Sequence, residues 1–143
     1  MNQLQRCDEL KKKLDALRPF PAETLKSLRE YYRVGLTYSS NALEGNSLTE
    51  SETKVVIEDG LTVQGKPLHD VYEALGHAEA YDHLQFMAAD KRLEVADILK
   101  LHELFYRRID PSQAGTFRTV PVFISGSHYP LPLPEQIPVL MDK

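Results

Sequence analysis

Ser40 and Glu44 are the two side chains whose types and spacing bear most directly on chemistry in this sequence. They lie four residues apart, so on a helix they share one face, and Gly45 follows directly. Such a pair can bind a cationic group. Alternatively, both side chains lie at a solvated helix end, and the hydroxyl bonds to the backbone of its own turn. A carboxylate at a helix C-terminus faces the negative end of the dipole, at a cost of up to about 1 kcal/mol. Nothing nearby in the sequence offsets this unfavourable placement of Glu44, and an uncompensated cost of this kind indicates a function.

Other motifs with known chemistry are missing from the sequence. It contains no H-E-x-x-H, C-x-x-C, G-x-G-x-x-G or G-x-S-x-G pattern and no Walker-type lysine loop. Two of the five histidines, His77 and His83, lie six residues apart, a spacing that does not place them on one helical face. We therefore predict no metal site and no catalytic residues within this chain, and we interpret the histidines as surface or capping residues.

Composition limits the class of protein. The 143 residues suffice for one domain with a single core, and 42% hydrophobic with 27% charged residues is typical of a globular protein. A net charge of −4 disfavours a nucleic-acid partner. A single cysteine, Cys7, fits a reducing compartment, and we expect a cytoplasmic location. The sequence has neither a secretory signal nor an apolar run long enough for a membrane span, so we expect no membrane partner.

Apolar residues at helical spacing predict a mainly α fold. The predicted helices cover residues 3–17, 22 to a stop at Gly45, about 50–59, 68–89 and 95–108, and another begins at Pro134. Two overlapping capping boxes, Ser47 with Glu50 and Thr49 with Glu52, mark the start of the third helix.

The stretch TVPVFISGSHYPLPLP differs from the helical remainder. Its β-branched residues and central Ser-Gly-Ser predict one β-hairpin, roughly 119–124 paired with 128–132. Prolines 121, 130 and 132 suit an exposed ribbon better than a central strand. Such a ribbon can dock an extended peptide by β-augmentation, or it can be a structural hairpin packed on the helices. The residues alone leave these alternatives about even.

Three segments in the same order resemble the Fic family, whose members transfer AMP from ATP to hydroxyl side chains of proteins. Ser40-Asn41-Ala42-Leu43-Glu44-Gly45 is similar to the family's inhibitory-helix motif, [S/T]-x-x-x-E-[G/N]. Leu101-His102-Glu103-Leu104-Phe105, followed by Ala114-Gly115-Thr116-Phe117-Arg118, resembles its helix and G-x-x-R turn. The predicted hairpin stands where the family has a "flap". The resemblance covers roughly residues 35–143.

The resemblance implies a regulatory role for Ser40, Glu44 and Gly45. Glu44 would pair with an arginine that otherwise holds the nucleotide, occupy the place of the γ-phosphate and so inhibit transfer, while Ser40 would secure the inhibitory helix. We expect residues 1–46 to hold the N-terminal helices, including the inhibitory one. Residues 47–143 would form the N-terminal part of the Fic core, with its flap at about 119–132.

The resemblance also assigns the flap to docking of the protein substrate. The contact residues would be Val120, Val122, Phe123, Ile124 and His128. For Arg118, bracing of the turn before the flap and contact with substrate are both open, and bracing is favoured. ATP and Mg²⁺ are implied as cofactors of the intact protein, with none bound by this chain alone. Self-association is also expected from the resemblance.

One family feature is missing from the sequence. The catalytic signature H-P-F-x-[D/E]-G-N-G-R-x-x-R, which supplies the base, the phosphate-binding arginines and the metal-holding carboxylate, does not occur. We therefore expect the chain to be the N-terminal part of an autoinhibited protein adenylyltransferase, ending before the catalytic loop and inactive by itself. The alternative is a non-catalytic regulatory or interaction module that acts on a separate Fic core.

Overall fold

The computed structural model describes residues 2–87 and 92–142. Within these ranges the chain forms six α-helices and one short 3-10 turn, and no β-strand. The helices are α1 (Gln3–Asp15), α2 (Ala22–Leu43), α3 (Glu50–Asp59), α4 (Leu68–Met87), α5 (Val95–Tyr106) and α6 (Ile137–Met141), with the 3-10 turn at Pro134–Gln136. The mainly α prediction is confirmed, although the predicted end of α4 at residue 89 lies outside the described residues. Among the described helices, none is long and apolar enough to cross a membrane.

The chain divides into two compact units, the first ending at Tyr32 and the second beginning at Arg33. In the first unit, a reciprocal capping box starts α1. Asn2 Oδ1 accepts from the Gln5 N–H at 2.8 Å, and Gln5 Oε1 accepts from the Asn2 N–H at 2.9 Å. All of α1 is exposed or partly so, with no buried residue. The predicted division at residues 46/47 rests on the family resemblance and stays a prediction.

The second unit has its core where α4 packs against α3 and α5. Four buried apolar side chains form its centre: Leu48, Val56, Val71 and Ala74. Gly76 brings α4 and α5 together, because a Cβ at this position would lie 2.2 Å from the Phe105 carbonyl oxygen. A side chain of any size would therefore push the two helices apart.

The start of α3 corrects one of the two predicted capping boxes. Thr49 is the N-cap, and its Oγ1 accepts from the Glu52 N–H at 3.2 Å. Glu52 Oε2 accepts in return from the Thr49 N–H at 2.7 Å. The predicted box of Ser47 with Glu50 is wrong, because the Ser47 hydroxyl donates instead to Asp70 on α4 at 2.6 Å.

The predicted β-hairpin at 119–132 is also wrong as a pair of strands. We call residues 119–133 the proline segment. Its described residues contain one main-chain hydrogen bond, from the Ser127 N–H to the Ile124 carbonyl at 3.0 Å, which closes a turn. Prolines 121, 130 and 132 lack the N–H groups that a ladder needs, so the two arms run on either side of the turn without pairing.

Candidate functional site

The end of α2 carries the three residues predicted to be regulatory. Ser40 and Glu44 are both exposed, and no side chain among the described residues forms a hydrogen bond or ion pair with Glu44. Gly45 has φ +95°, a left-handed conformation that favours glycine and lets the chain leave the helix. The pair therefore presents a hydroxyl and a carboxylate to solvent about one helical turn apart.

We call residues 41–47 the Glu44 turn. The Asn41 carbonyl accepts from the N–H groups of Glu44 at 3.1 Å and Asn46 at 3.0 Å. The Gly45 N–H donates to the Ala42 carbonyl at 3.1 Å. These bonds satisfy carbonyls that the end of the helix leaves free, and they fix the backbone from which Glu44 projects.

Asn46 and Ser47 tie the Glu44 turn to α4. Asn46 Nδ2 donates to the Asp70 carbonyl at 3.0 Å and to Glu73 Oε2 at 2.8 Å. The Ser47 N–H donates to Asp70 Oδ2 at 2.8 Å. Asp70 is buried, which acts to raise its pKa, but the hydrogen bonds from Ser47 outweigh burial and hold the pKa of Asp70 below its ordinary value. Asp70 is therefore a charged anchor for this turn.

The opposite face of α2 is buried, and Thr37 on this face bonds to α4. Val34, Thr37 and Asn41 recur at helical spacing and are buried, whereas Ser40 and Glu44 lie on the outer face. Thr37 Oγ1 lies 2.9 Å from His77 Nδ1. Burial lowers the pKa of His77, because the charged ring would lose hydration there.

An ion pair supports the same packing. Arg33 Nε and Nη2 each lie 2.8 Å from an Asp82 carboxylate oxygen on α4, which is a bidentate pair. The last three turns of α2 are thus fixed by a hydroxyl–imidazole bond and an ion pair. They hold the exposed Ser40–Glu44 face at a defined place relative to α4.

The second family-like segment is joined to α5 by a histidine. The Gly115 N–H donates to His102 Nδ1 at 3.1 Å, so the proton of the neutral ring resides on the other nitrogen. Gly115 has φ +72°, and a Cβ there would lie 3.0 Å from Glu103 Cβ. The interpretation of all histidines as surface or capping residues is therefore wrong for His77 and His102, which bond to neighbouring elements.

The proline segment exposes the five residues predicted to dock a target: Val120, Val122, Phe123, Ile124 and His128. Phe123 is 87% exposed, which is unusual for a large apolar side chain. Arg118 donates from Nη1 to the Val120 carbonyl at 2.9 Å and from Nη2 to the Pro132 carbonyl. It therefore braces the proline segment itself, whereas the bracing favoured by the sequence analysis concerned the turn before it.

One group of side chains could hold a cation, although the sequence analysis predicted none. Ligand atoms of His69, Asp70 and Glu73 lie within 4.8 Å of one another at the start of α4. The acidic pair already anchors the Glu44 turn through Asp70 Oδ2 and Glu73 Oε2. Spacing of histidines alone does not reveal this group, because two of its three members are carboxylates.

Sequence reasoning missed the residues that position the site. Asp70 and Asn46 received no positioning role and His102 only a surface or capping one, because their partners are distant in sequence and no local pattern identifies them. An acidic residue in the first turn of α4 was a visible signal for Asp70, but a helix dipole explains that position equally well.

Known proteins resemble this chain along nearly its whole length. It is 32% identical over 140 residues to the Protein adenylyltransferase Fic of Nematostella vectensis, covering 94% of this chain and 32% of that protein. The Protein adenylyltransferase Fic of Drosophila grimshawi is 31% identical over 137 residues, covering 95% of this chain and 28% of that protein. No family model matches the chain.

Solved structures give the same answer for the fold. Fic-1 (residues 134–508) from C. elegans superposes with a TM-score of 0.78 at 26% identity, over 96% of this chain and 40% of that one. A Fic domain containing signaling protein from Bacteroides thetaiotaomicron gives a TM-score of 0.81 at 26% identity, over 94% and 52% of the chains. The chain belongs to the Fic family. It spans about a third of the length of the curated relatives it matches.

Proposed function

We propose that this chain is the regulatory and target-docking part of a protein that transfers AMP from ATP to a hydroxyl side chain, with Glu44 as its inhibitor. The observation that carries the proposal is the geometry of α2. One face of this helix is fixed to α4 by Thr37 and Arg33, and the other presents Ser40 and Glu44. Relatives named for adenylyl transfer support the reaction class.

Inhibition follows from the chemistry of the carboxylate. Glu44 is exposed, and a carboxylate forms the same bidentate bonds to an arginine that a phosphate does. The arginine is the second one of the family's signature. Once it is bound to Glu44, it no longer holds the γ-phosphate, and ATP lies in a pose unsuited to attack. Ser40 would hold the helix against the signature region.

ATP and Mg²⁺ would be held mainly outside this chain. The family's phosphate-binding arginines and metal-holding carboxylate belong to a signature that the sequence lacks. Glu44 is the one residue here with an assigned effect on the nucleotide, so we derive no step through the cofactors. The cytoplasmic location expected from the lone, exposed Cys7 stands as part of the proposal.

Replacing Glu44 tests the inhibition. In a protein that joins this chain to a Fic signature, we expect Glu44→Gly to raise self-labelling from α-labelled ATP by about ten- to a hundredfold. This range corresponds to loss of a charge-assisted bond worth roughly 1.5–3 kcal/mol. Glu44→Gln should act in the same direction, because it removes the charge and keeps the shape. Glu50→Gln, also exposed, is the matched control and should leave labelling unchanged. Equal labelling of all four proteins would refute the role of Glu44.

Phe123 tests target docking by the proline segment. Its 87% exposed ring has little to do with folding, so Phe123→Ala should leave the unfolding temperature within about 2 °C. We expect at least a severalfold loss in target labelling and little change in ATP affinity. Leu133→Ala, at the far end of the segment, is the comparison variant. Equal losses of labelling and of ATP affinity in Phe123→Ala would count against docking.

A second candidate is a module that regulates a separate Fic core in trans, because an exposed Ser40–Glu44 face could meet a core in another protein as well as one in the same protein. Adding the purified chain to a signature-bearing Fic core separates the two candidates. Suppression of labelling by the wild-type chain, and none by its Glu44→Gly variant, would favour action in trans. No effect of either chain, with suppression only in the joined protein, would favour action within one protein.

A further inference from the structure

The two arms of the proline segment are held together without a β-ladder. Residues 120–124 and 128–132 flank the turn closed by Ser127 and Ile124, and between them the described residues form no main-chain hydrogen bond. Tyr129 N–H bonds to the hydroxyl of Ser127, within the same turn. Two isolated arms of this length would not keep one spacing, because an unpaired ribbon is marginal in water.

Arg118 supplies the link that the backbone does not. Its guanidinium donates to the Val120 carbonyl in the first arm at 2.9 Å and to the Pro132 carbonyl in the second arm. The planar, multi-donor guanidinium can bridge two acceptors with fixed geometry, whereas a lysine is a single point charge. One side chain therefore sets the distance between residues that lie twelve positions apart.

The base from which Arg118 projects is itself fixed. His102 on α5 accepts from the Gly115 N–H at 3.1 Å, and the Thr116 N–H donates to the Gln113 carbonyl at 3.2 Å. Gly115, three residues before Arg118, has a left-handed backbone conformation. Because it has no side chain, its backbone can lie close to Glu103 on α5. The guanidinium thus couples the arms to α5 as well as to each other.

We propose that Arg118 is a positioning residue for target docking, replacing the missing ladder with a two-carbonyl bridge. This inference rests on the proposed function of the segment. Because the arms are joined through the Arg118 side chain at the Val120 and Pro132 carbonyls, most of their other main-chain N–H and C=O groups remain available to an extended peptide of the target. It also holds the exposed Phe123 and Ile124 in one conformation before the target binds, which lowers the entropic cost of docking.

The first test needs no activity. In the ¹⁵N-labelled chain, Arg118→Ala should lower the amide order parameters of Val122, Phe123 and Ile124 below about 0.6, the range of flexible backbone. Arg118→Lys should lower them to a similar degree, because lysine offers one nitrogen in place of Nη1 and Nη2, each of which reaches a different carbonyl in a planar group of fixed geometry. Arg29→Ala, an exposed arginine in the first unit, is the control and should change nothing. Unchanged order in Arg118→Ala, or the same loss in Arg29→Ala, would overturn the proposal.

Chemical rescue separates bridging from a general structural role. Millimolar guanidinium chloride should restore order to the segment in Arg118→Ala, whereas sodium or ammonium chloride at equal ionic strength should not. Restoration by all three salts would point to screening and overturn the bridge.

Measurements of AMP transfer test the bridge and the proposed function together. In the protein joined to a Fic signature, with synthetic Ser-, Thr- or Tyr-containing peptides as acceptors, Arg118→Ala should raise the peptide KM about tenfold at unchanged ATP KM. An equal rise in both KM values would contradict a docking role. These KM values are measured in the Glu44→Gly form, in which the proposed inhibition is removed. Absence of AMP transfer in that form would refute the proposed function, while the order measurement would still decide on the bridge.

Discussion

The Glu44 turn and the proline segment both present exposed side chains, yet they are held in opposite ways. The Glu44 turn is joined to α4 by bonds from Asn46 and Ser47 to the buried Asp70. The proline segment has one turn bond and a single guanidinium, with every residue from 119 to 130 exposed. The first region rests on a partly buried polar network, and the second rests mainly on one side chain.

The difference matches what each proposed role requires. A carboxylate that takes the place of a phosphate must be held in one position, because charge-assisted bonds depend on geometry. A surface that docks extended peptides needs backbone groups that are not already paired. A substitution in the helices that support both regions should therefore affect both of them. A substitution within one region should affect the order of that region alone, and a substitution at one titrating group should affect only the pH dependence of stability.

Gly76→Ala should have the largest effect, because it disturbs the scaffold of both regions. The added Cβ would lie 2.2 Å from the Phe105 carbonyl oxygen, so α4 and α5 must separate. We expect the free energy of unfolding to fall by about 3 kcal/mol, measured by urea denaturation. Gly35→Ala, in α2 with nothing within 4 Å of its added Cβ, should be neutral or stabilising by up to about 1 kcal/mol. Similar losses in the two variants would mean that helix packing at Gly76 is not close.

Asp70→Ala should loosen the Glu44 turn and leave the proline segment ordered. It removes the acceptor of two bonds from Ser47, and a lost charged acceptor costs roughly 2–3 kcal/mol. Hydrogen exchange at the Ser47 amide should accelerate, with no change at Ser127. Asp59→Ala, an exposed carboxylate at the end of α3, is the control and should change stability by less than about 0.5 kcal/mol. Equal acceleration at both serines would contradict the independence of the two regions.

Titration of His77 should give the smallest effect, which is a dependence of the free energy of unfolding on pH. Its pKa in the folded state lies below the ordinary value of 6.5 because burial disfavours the charged ring. The unfolded chain therefore takes up a proton first as the pH falls below 6.5, so stability is full above that pH and declines below it. The decline levels off once the folded state is protonated as well.

His77→Asn isolates this contribution from those of all other groups in the chain. The amide places a non-titrating polar atom near Nδ1 and keeps a partner for Thr37. The difference in unfolding free energy between wild type and variant should shrink on going from pH 7 to pH 5 (the titration range of histidine). A difference that is constant with pH would contradict the assignment, and His83→Asn serves as the control.

Features of the fold that depend on residues close together in the sequence could be predicted from it, and features that depend on distant residues could not. The start of α3 was predicted because Thr49 and Glu52 form a capping box within one turn. The β-hairpin was predicted wrongly, since β-branched residues around a Ser-Gly-Ser turn indicate pairing. The prolines in both arms removed the donors that pairing requires. Ser47 matched the same capping pattern as Thr49, yet a partner on another helix took its hydroxyl.

The sequence by itself determined the presence of the helices and the shared face of Ser40 and Glu44, because capping and periodicity act within a few residues. Only the tertiary structure decided what holds them. Ser47 and Asp70 lie 23 positions apart, Thr37 and His77 lie 40 apart, and Arg118 reaches Pro132 across 14. Bonds over such separations form only after the helices pack, since packing is what places each donor within reach of its acceptor.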